Sequence, residues 1–276
     1  MGQPDNVSDT QSPVEYRDVR IEHRGLATWV FLARPDVHNA FNARMIAELR
    51  QAFTAISEDD TVRAVVLTGD GTNFCSGADL NWMRASLDYS RDENVEDALR
   101  MADMFRAIDS CRHPVIGRIQ GFALGGGTGL TAVCDIAIAA ADAQFGFTEA
   151  RLGIAPAVIA PFVLRKIGVS HARALFVTAE RFSANHAQAI GLAHRVVATA
   201  DLDTEVETAL RHIAASGPAG VRAAKLMAAT VPSLSDADAR ELTAATIAGL
   251  RTSAEGQEGI RAFLEKRKPN WVAHDV

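Results

Sequence analysis

The chain has 276 residues, of which 48% are hydrophobic and 22% charged, and its formal net charge at pH 7 is −6. This composition is typical of a globular protein large enough for one domain with a small extension. The acidic balance argues against a nucleic-acid partner, and the lack of any apolar run of about 20 residues argues against a membrane partner.

The cysteines and the first residues of the chain indicate a reducing compartment. Cys75, Cys111 and Cys134 are scattered, and no Cys-x-x-Cys pair occurs. The sequence therefore predicts neither a disulfide framework nor a zinc site. Residues 1–13 are polar and lack the hydrophobic segment of a secretory signal. We interpret them as a disordered arm and expect a cytoplasmic protein.

Strand-like and helical patterns alternate through the first two thirds of the chain. Apolar residues at helical spacing predict helices over residues 42–56 and 93–108. One broad face of the second helix is expected to carry Leu99, Met101, Met104, Phe105 and Ile108. Short β-branched and apolar runs predict strands at residues 27–32, 62–67, 115–119 and 136–139. Such alternation favours an α/β fold with parallel strands.

The last third of the chain changes character. From residue 160 onward Ala, Leu, Arg and Glu dominate, and β-type runs nearly vanish. Ser183 is expected to cap a helix, and further helices are predicted over residues 233–250 and 254–268. The predicted organisation is an arm at 1–13, a core at 14–200 and a helical region at 201–276. That region would pack on the core or on a neighbouring subunit.

Three segments carry the residue types of a chemical site. Each follows a strand, and ligands of parallel sheets bind beyond the carboxyl ends of the strands. The glycine-rich one runs into a helix, so its backbone N–H groups are expected to favour a developing negative charge. The segments are Asn73-Phe-Cys-Ser-Gly-Ala-Asp-Leu80, Gly121-Phe-Ala-Leu-Gly-Gly-Gly-Thr-Gly-Leu130 and Phe145-Gly-Phe-Thr-Glu-Ala-Arg-Leu-Gly-Ile-Ala-Pro156.

The order and spacing of these segments resemble the enoyl-CoA hydratase/isomerase (crotonase) family. The likeness extends over about residues 15 to 272 and includes the tail Phe263-Leu-Glu-Lys-Arg-Lys268. It implies the α/β crotonase-like spiral of ββα units with a C-terminal helical trimerisation region. It also implies a homotrimer, or a hexamer made of two trimers.

The resemblance further implies a substrate and its contacts. The substrate would be an acyl-CoA thioester, and no separate cofactor is expected because coenzyme A is part of it. The N–H groups of Ala78 and Gly126 would form an oxyanion hole for the thioester oxygen. The residues implied to contact the substrate are Asn39, Ala40, Ser76, Ala78, Asp79, Leu80, Asn81, Gly126, Gly129, Phe263 and Lys266.

Two of these residues also have plainer interpretations. Asp79 suits the N-cap of a helix, and Lys266 suits a helix C-terminus, where a cation complements the helix dipole. Both readings stay open from the sequence.

The chain departs from the family pattern at Gly129. Hydratases of this family typically carry two glutamates that hold the attacking water, and one lies two residues after the Gly-Gly-Gly. That position is Gly129 here, which is expected to leave space where a carboxylate would be. The other glutamate matches Glu149, and a lone carboxylate in an apolar pocket is expected to have a raised pKa.

Two reactions fit a single carboxylate. Glu149 would either hold water and return its proton in the hydration of a 2-enoyl-CoA, or move a proton between C2 and C4 in Δ3,Δ2-isomerisation. A non-catalytic acyl-CoA-binding scaffold is a third reading, against which the retained Glu149 argues. The segment at 153–161 resembles the branch that acts on glutaconyl-type acyl-CoAs and favours hydration. Arg151 or Arg165 would pair with a second carboxylate of such a substrate.

Overall fold

Two sheets organise residues 15–272, the part of the chain that the computed structural model describes. The predicted arm at 1–13 lies outside these residues. The larger sheet has the order β1-β2-β3-β4-β6-β9, and the smaller has the order β5-β7-β8. The strands are β1 Val19–Arg24, β2 Ala27–Leu32, β3 Ala64–Gly69, β4 Val115–Ile119, β5 Phe122–Leu124, β6 Ile136–Ala140, β7 Gln144–Gly146, β8 Arg181–Ser183 and β9 Arg195–Val197.

The central strands are parallel, as expected. β1 pairs antiparallel with β2, and the remaining pairs of the larger sheet are parallel. β3 is buried along its whole length, as expected for an inner strand of a parallel sheet, which is covered on both faces. In the smaller sheet β5 and β7 are parallel, and β8 pairs antiparallel with β7.

Residues 15–272 form ten α-helices, and six of them begin at a residue whose side chain caps the helix. Asn42 accepts a hydrogen bond from the N–H of Met45 at the start of α1, and Ser90 with Glu93 forms a capping box at α3. The helices are α1 Ala43–Glu58, α2 Leu80–Ala85, α3 Arg91–Asp109, α4 Gly126–Val133, α5 Ala160–Thr178, α6 Ala184–Ala189, α7 Leu202–Ala215, α8 Pro218–Thr230, α9 Asp236–Thr252 and α10 Ala254–Leu264.

The buried face of α3 is narrower than predicted. Met104, Phe105 and Ile108 are fully buried, but Leu99 is 58% exposed, so its predicted place on the same face is wrong. Leu99 is not three or four residues from the other members of the stripe, and therefore lies on another side of the helix. The buried stripe packs against α1.

The three predicted site segments follow three neighbouring parallel strands of the larger sheet, as expected. The first follows β3, the second follows β4 and the third follows β6. The second segment also contains β5, and the third contains part of β7, so the smaller sheet lies within the site segments. An isolated bridge between Cys75 and Ala123 joins the first two segments, and another joins Ala78 to Phe41.

After β9 the described chain is helical. Ser183 caps α6, as predicted. α9 begins at Asp236 with Ser235 as its N-cap, and α10 ends at Leu264, four residues before the predicted end. α8 and α9 contain no buried residue. The domain boundary at residue 200 stays a prediction.

Candidate active site

The loop after β3 presents the N–H of Ala78. The N–H of Phe41 donates to the carbonyl of Gly77 at 2.7 Å, and the N–H of Asp79 donates to the carbonyl of Phe41 at 2.8 Å. These two bonds hold Ala78 on both sides. Within residues 15–272 the N–H of Ala78 itself has no acceptor, and Ala78 is exposed. It is therefore a donor available to a ligand.

The glycine run makes a tight turn into α4. Gly125 has φ +52° and ψ −120°, a conformation that residues with a side chain rarely adopt. A Cβ on Gly127 would collide with the carbonyl oxygen of Cys75, so only glycine permits this approach. The first N–H of α4 belongs to Gly126 and has no acceptor among the described residues. It lies at the positive end of the helix.

The residue before one donor contacts both the residue before the other donor and the Glu149 carboxylate. A Cβ built on Gly125 would lie 3.9 Å from the Cα of Gly77 and 3.2 Å from Oε1 of Glu149. Gly77 precedes Ala78, and Gly125 precedes Gly126. The structure thus brings together the three segments that carry the predicted catalytic residues. Two N–H donors beside a carboxylate can stabilise an oxyanion and move a proton.

Glu149 begins a short 3₁₀ turn, Glu149–Leu152, that follows β7. Its Oε2 atom is buried and has no hydrogen-bond partner among the described residues. Burial raises the pKa of this carboxyl above its ordinary value, and a hydrogen bond from its own backbone N–H only partly opposes that effect. A half-buried carboxyl with a raised pKa suits general acid–base work near neutral pH.

Gly129 does not leave the space that the sequence suggested. A Cβ at this position would lie 3.0 Å from Cβ of Ile159, closer still to its Cγ2, and 3.2 Å from Cε1 of Phe105. Ile159 and Phe105 are both buried. The expectation of an open site is therefore wrong: Ile159, thirty residues further along the chain, fills the place of the missing side chain.

The side chains of Asp79 and Asn39 form their polar contacts within the protein. Asp79 is 4% exposed, caps α2 by accepting from Asn81 and Trp82 N–H groups, and pairs with Arg34 at 2.9 Å. Burial raises the pKa of Asp79, but these hydrogen bonds and the Arg34 charge outweigh it and lower the pKa overall. The fully buried Asn39 donates to the carbonyls of Asp70 and Asn73. Their predicted substrate contacts stay predictions.

The remaining predicted binding residues differ in exposure. Ala40 is buried, Ser76 is half-buried, and Asn81 is exposed. Leu80 is 77% exposed and Phe263 is 82% exposed, the latter on α10. Lys266 follows that helix and is exposed. The side chains of Leu80, Phe263 and Lys266 are thus open to a ligand, and their roles remain predictions.

Three residues of this region were missed by sequence reasoning. Phe41 supplies the backbone that holds Ala78, Arg34 pairs with Asp79, and Ile159 covers Gly129. No local pattern marks them, because each acts on a segment distant in sequence. Only the Arg-Pro step at Arg34, directly after β2, signals a special turn.

Residues 15–272 contain no group of three or more His, Cys, Asp or Glu residues placed to hold a metal ion. No helix among them combines the length and hydropathy needed to cross a membrane.

Comparison with known proteins extends these observations. The family model described as "Enoyl-CoA hydratase/isomerase" matches residues 24–274. "Crotonyl-CoA hydratase" from Syntrophomonas wolfei subsp. wolfei is 35% identical over 261 residues, which cover 94% of this chain and 99% of that protein.

Solved structures agree with that result. An enoyl-CoA hydratase from Shewanella pealeana superposes with a TM-score of 0.89 at 35% identity, covering 93% of this chain and 97% of the other. Pseudomonas aeruginosa AtuE superposes with a TM-score of 0.91 at 35% identity, covering 93% and 100%. The predicted fold class and family are thereby confirmed, and the hydratase names agree with the predicted class of enzyme.

Proposed function

Because the chain belongs to the enoyl-CoA hydratase/isomerase family, we propose that it is an enoyl-CoA hydratase, which adds water to a 2-enoyl-CoA thioester. One observation carries the proposal. Oε1 of Glu149 lies against Gly125, at the turn where the N–H groups of Ala78 and Gly126 have no acceptor among the described residues. Coenzyme A enters as part of the substrate, and we propose no separate cofactor.

The proposed reaction uses these three groups in sequence. The thioester oxygen accepts hydrogen bonds from Ala78 and Gly126, which draws electrons from the double bond. Glu149 takes a proton from water as the water oxygen bonds to C3, and the C2–C3 electron pair moves towards the thioester oxygen as an enolate. The two N–H groups stabilise that enolate. Glu149 then returns the proton to C2, which completes the addition and restores the carboxylate.

A second reaction is supported by the same carboxylate. Gly129 supplies no side chain, so Glu149 has no partner glutamate from α4 to share the holding of water. A single carboxylate that takes and returns one proton also suits the movement of a double bond from C3 to C2. Δ3,Δ2-isomerisation is therefore the second candidate, and a non-catalytic acyl-CoA-binding scaffold is the third.

The first test is an optical assay. The conjugated enoyl thioester of crotonyl-CoA absorbs in the ultraviolet, and loss of that absorbance on adding the protein is expected for a hydratase. Gain of absorbance from a 3-enoyl-CoA, without loss from crotonyl-CoA, would favour the isomerase instead. Coenzyme A binding with neither change would leave only the scaffold. The variant Glu149→Gln separates a true signal from a contaminating enzyme.

For the acyl group we propose a branched or glutaconyl-type chain. The segment at 153–161 that resembles the glutaconyl branch contains Ile159, the residue that covers Gly129. Arg165 is already paired with Asp109, whereas Arg151 is exposed and forms no ion pair with the described residues. Arg151 is therefore the better partner for a second carboxylate. Arg151→Gln is expected to raise KM for 3-methylglutaconyl-CoA and leave KM for crotonyl-CoA unchanged.

The proposed assembly is a homotrimer or a hexamer of two trimers, in the cytoplasm. Large apolar side chains stand exposed on α5 and on the last helices, namely Val169 (68%), Val177 (73%), Leu226 (66%) and Leu264 (72%). Large exposed apolar side chains of this kind support an interface that buries them against other subunits. Light scattering coupled to size exclusion distinguishes a monomer, a trimer and a hexamer by mass.

A further inference from the structure

An arginine outside the three site segments bridges the Ala78 loop and the neighbouring segment at Ala40. Arg34 donates from Nη1 to the carbonyl of Ala40 at 2.6 Å and from Nη2 to Oδ2 of Asp79 at 2.9 Å. The side chains of Arg34 and Asp79 are only 18% and 5% exposed. A charge-assisted pair of this kind is strong and directional.

Its two acceptors flank the backbone bonds that hold Ala78. Ala40 precedes Phe41, and Asp79 follows Ala78. Phe41 in turn bonds to Gly77 and Asp79 through its N–H and carbonyl. One guanidinium therefore fastens the Ala40–Phe41 segment to Asp79, the residue that follows Ala78.

The backbone of Arg34 is itself held in place. Its N–H donates to Oδ1 of Asn39 at 2.9 Å, and its carbonyl accepts from the N–H groups of Val37 and Asn39. The other end of the Asn39 amide donates to backbone carbonyls in the turn after β3. The arginine thus projects from a tight turn whose position is set by the sheet.

We propose that Arg34 is a positioning residue, which fixes the direction of the Ala78 N–H towards the thioester oxygen by bridging Ala40 and Asp79. The inference rests on the proposed function, in which that N–H is one half of the oxyanion hole. A misplacement of about 1 Å at such a site can cost about 100-fold in rate. Loss of Arg34 therefore acts on kcat more than on substrate binding.

The chain offers a matched control. Arg44 donates to the carboxylate of Asp18 at 2.8 and 2.9 Å, the same carboxylate that lies 3.8 Å from Nε of Arg34. No hydrogen bond joins Arg44 to the Ala78 loop in the described part of the chain. Arg44→Met therefore removes a neighbouring buried-carboxylate pair without touching the bridge.

The experiment compares Arg34→Met, Arg34→Lys and Arg44→Met in the full chain. For Arg34→Met we expect kcat for crotonyl-CoA to fall about 10- to 100-fold with KM changed less than about threefold. Arg34→Lys is expected to recover part of kcat, because an ammonium can pair with Asp79 but cannot bridge both acceptors as a guanidinium does. Arg44→Met is expected to keep kcat.

A spectroscopic measurement separates positioning from a purely structural role. Butanoyl-CoA labelled with ¹³C at the thioester carbonyl cannot be hydrated, and its carbonyl stretch reports polarisation by the two N–H groups. We expect binding to wild type and Arg44→Met to lower the stretching frequency, and binding to Arg34→Met to lower it less. Thermal unfolding of each variant shows how much of any loss of activity comes from reduced stability alone.

The outcomes distinguish the inference from the proposed function. Full kcat and a full carbonyl shift in Arg34→Met would overturn the positioning role, even if its melting temperature fell. Absence of hydration and of a carbonyl shift in wild type would overturn the proposed function instead. If Arg34→Met does not fold, Asp79→Asn tests the same bridge, since its amide oxygen can still cap α2 while the ion pair is lost.

Discussion

Ile159 packs directly over the Cα atom of Gly129, so that a Cβ at residue 129 would come within 3.0 Å of Cβ of Ile159. The two residues depend on each other, because the isoleucine at the start of α5 leaves room only for a glycine on α4. The missing carboxylate and its apolar replacement therefore belong together, and a change at one position has to be matched at the other.

The variant Gly129→Glu is accordingly expected to fold poorly and not to hydrate crotonyl-CoA faster. Overpacking a buried position costs about 1–3 kcal/mol, and burying a carboxylate there adds to the loss. Urea unfolding measures the change. Gly249→Glu is the control, because Gly249 lies in α9 with nothing within 4 Å of its added Cβ.

The double variant Gly129→Glu with Ile159→Gly tests whether the two positions are coupled. Ile159→Gly alone leaves a cavity and is expected to cost about 2–5 kcal/mol. If the glutamate occupies that cavity, the double variant will be more stable than the sum of the single changes predicts. Simple additivity would contradict the packing relationship.

The variant Glu149→Gln is expected to lower the hydration rate about 10²- to 10⁴-fold, the range for loss of a general acid–base group. The amide has nearly the same shape, so binding of butanoyl-CoA should change little. Stopped-flow rates and calorimetric binding measure the two effects. Glu180→Gln alters an exposed glutamate and is expected to retain wild-type rates; near-normal turnover in Glu149→Gln would refute the assigned role.

The stability of the protein is expected to depend on pH through the same residue. Because burial raises the pKa of Glu149, the folded state holds this proton more tightly than the unfolded chain. The associated stability is fully present below 4.5, the ordinary pKa of a glutamate, and is lost as pH rises through the raised pKa of the folded state.

Glu149→Gln removes that ionisation. The variant should therefore have a larger free energy of unfolding than wild type at about pH 8, and this gap should close below about pH 4.5. Melting curves across the pH range measure the gap, and Glu180→Gln supplies the baseline. A gap that stays constant with pH would exclude Glu149 as its source.

Gly126→Ala is expected to damage the oxyanion hole. The new Cβ would lie 2.6 Å from Cε2 of Phe41, and that ring is fully buried and packed edge-on against Phe105. Either α4 or Phe41 has to move, and the backbone of Phe41 is hydrogen-bonded to the Ala78 loop. We expect a fall of about 10²- to 10³-fold in kcat, comparable to loss of one donor.

Two further variants interpret that result. Phe41→Leu combined with Gly126→Ala relieves the collision and should restore part of the activity. Gly249→Ala, in open space on α9, is expected to leave kcat unchanged and to stabilise the protein by up to about 1 kcal/mol. Equal activity of Gly126→Ala and wild type would show that the turn tolerates the methyl group.

Local patterns in the sequence determined much of this protein. Helical spacing placed α1 and α3 to within two residues at each end, and a run of apolar and β-branched residues placed β4 at Val115–Ile119, because these signals act within a few residues. The three motifs identified the family, and the contacts among Gly77, Gly125 and Glu149 agree with the predicted site.

The tertiary structure decided what those patterns could not. The strands of the smaller sheet have only three residues each, too few to show a period, so the sheet that carries the glycine turn and Glu149 was missed. The filling of the Gly129 position by Ile159 and the bridge from Arg34 to Asp79 join residues 30 and 45 positions apart. Such contacts depend on how segments pack in space, and packing at that range leaves no periodic trace in the sequence.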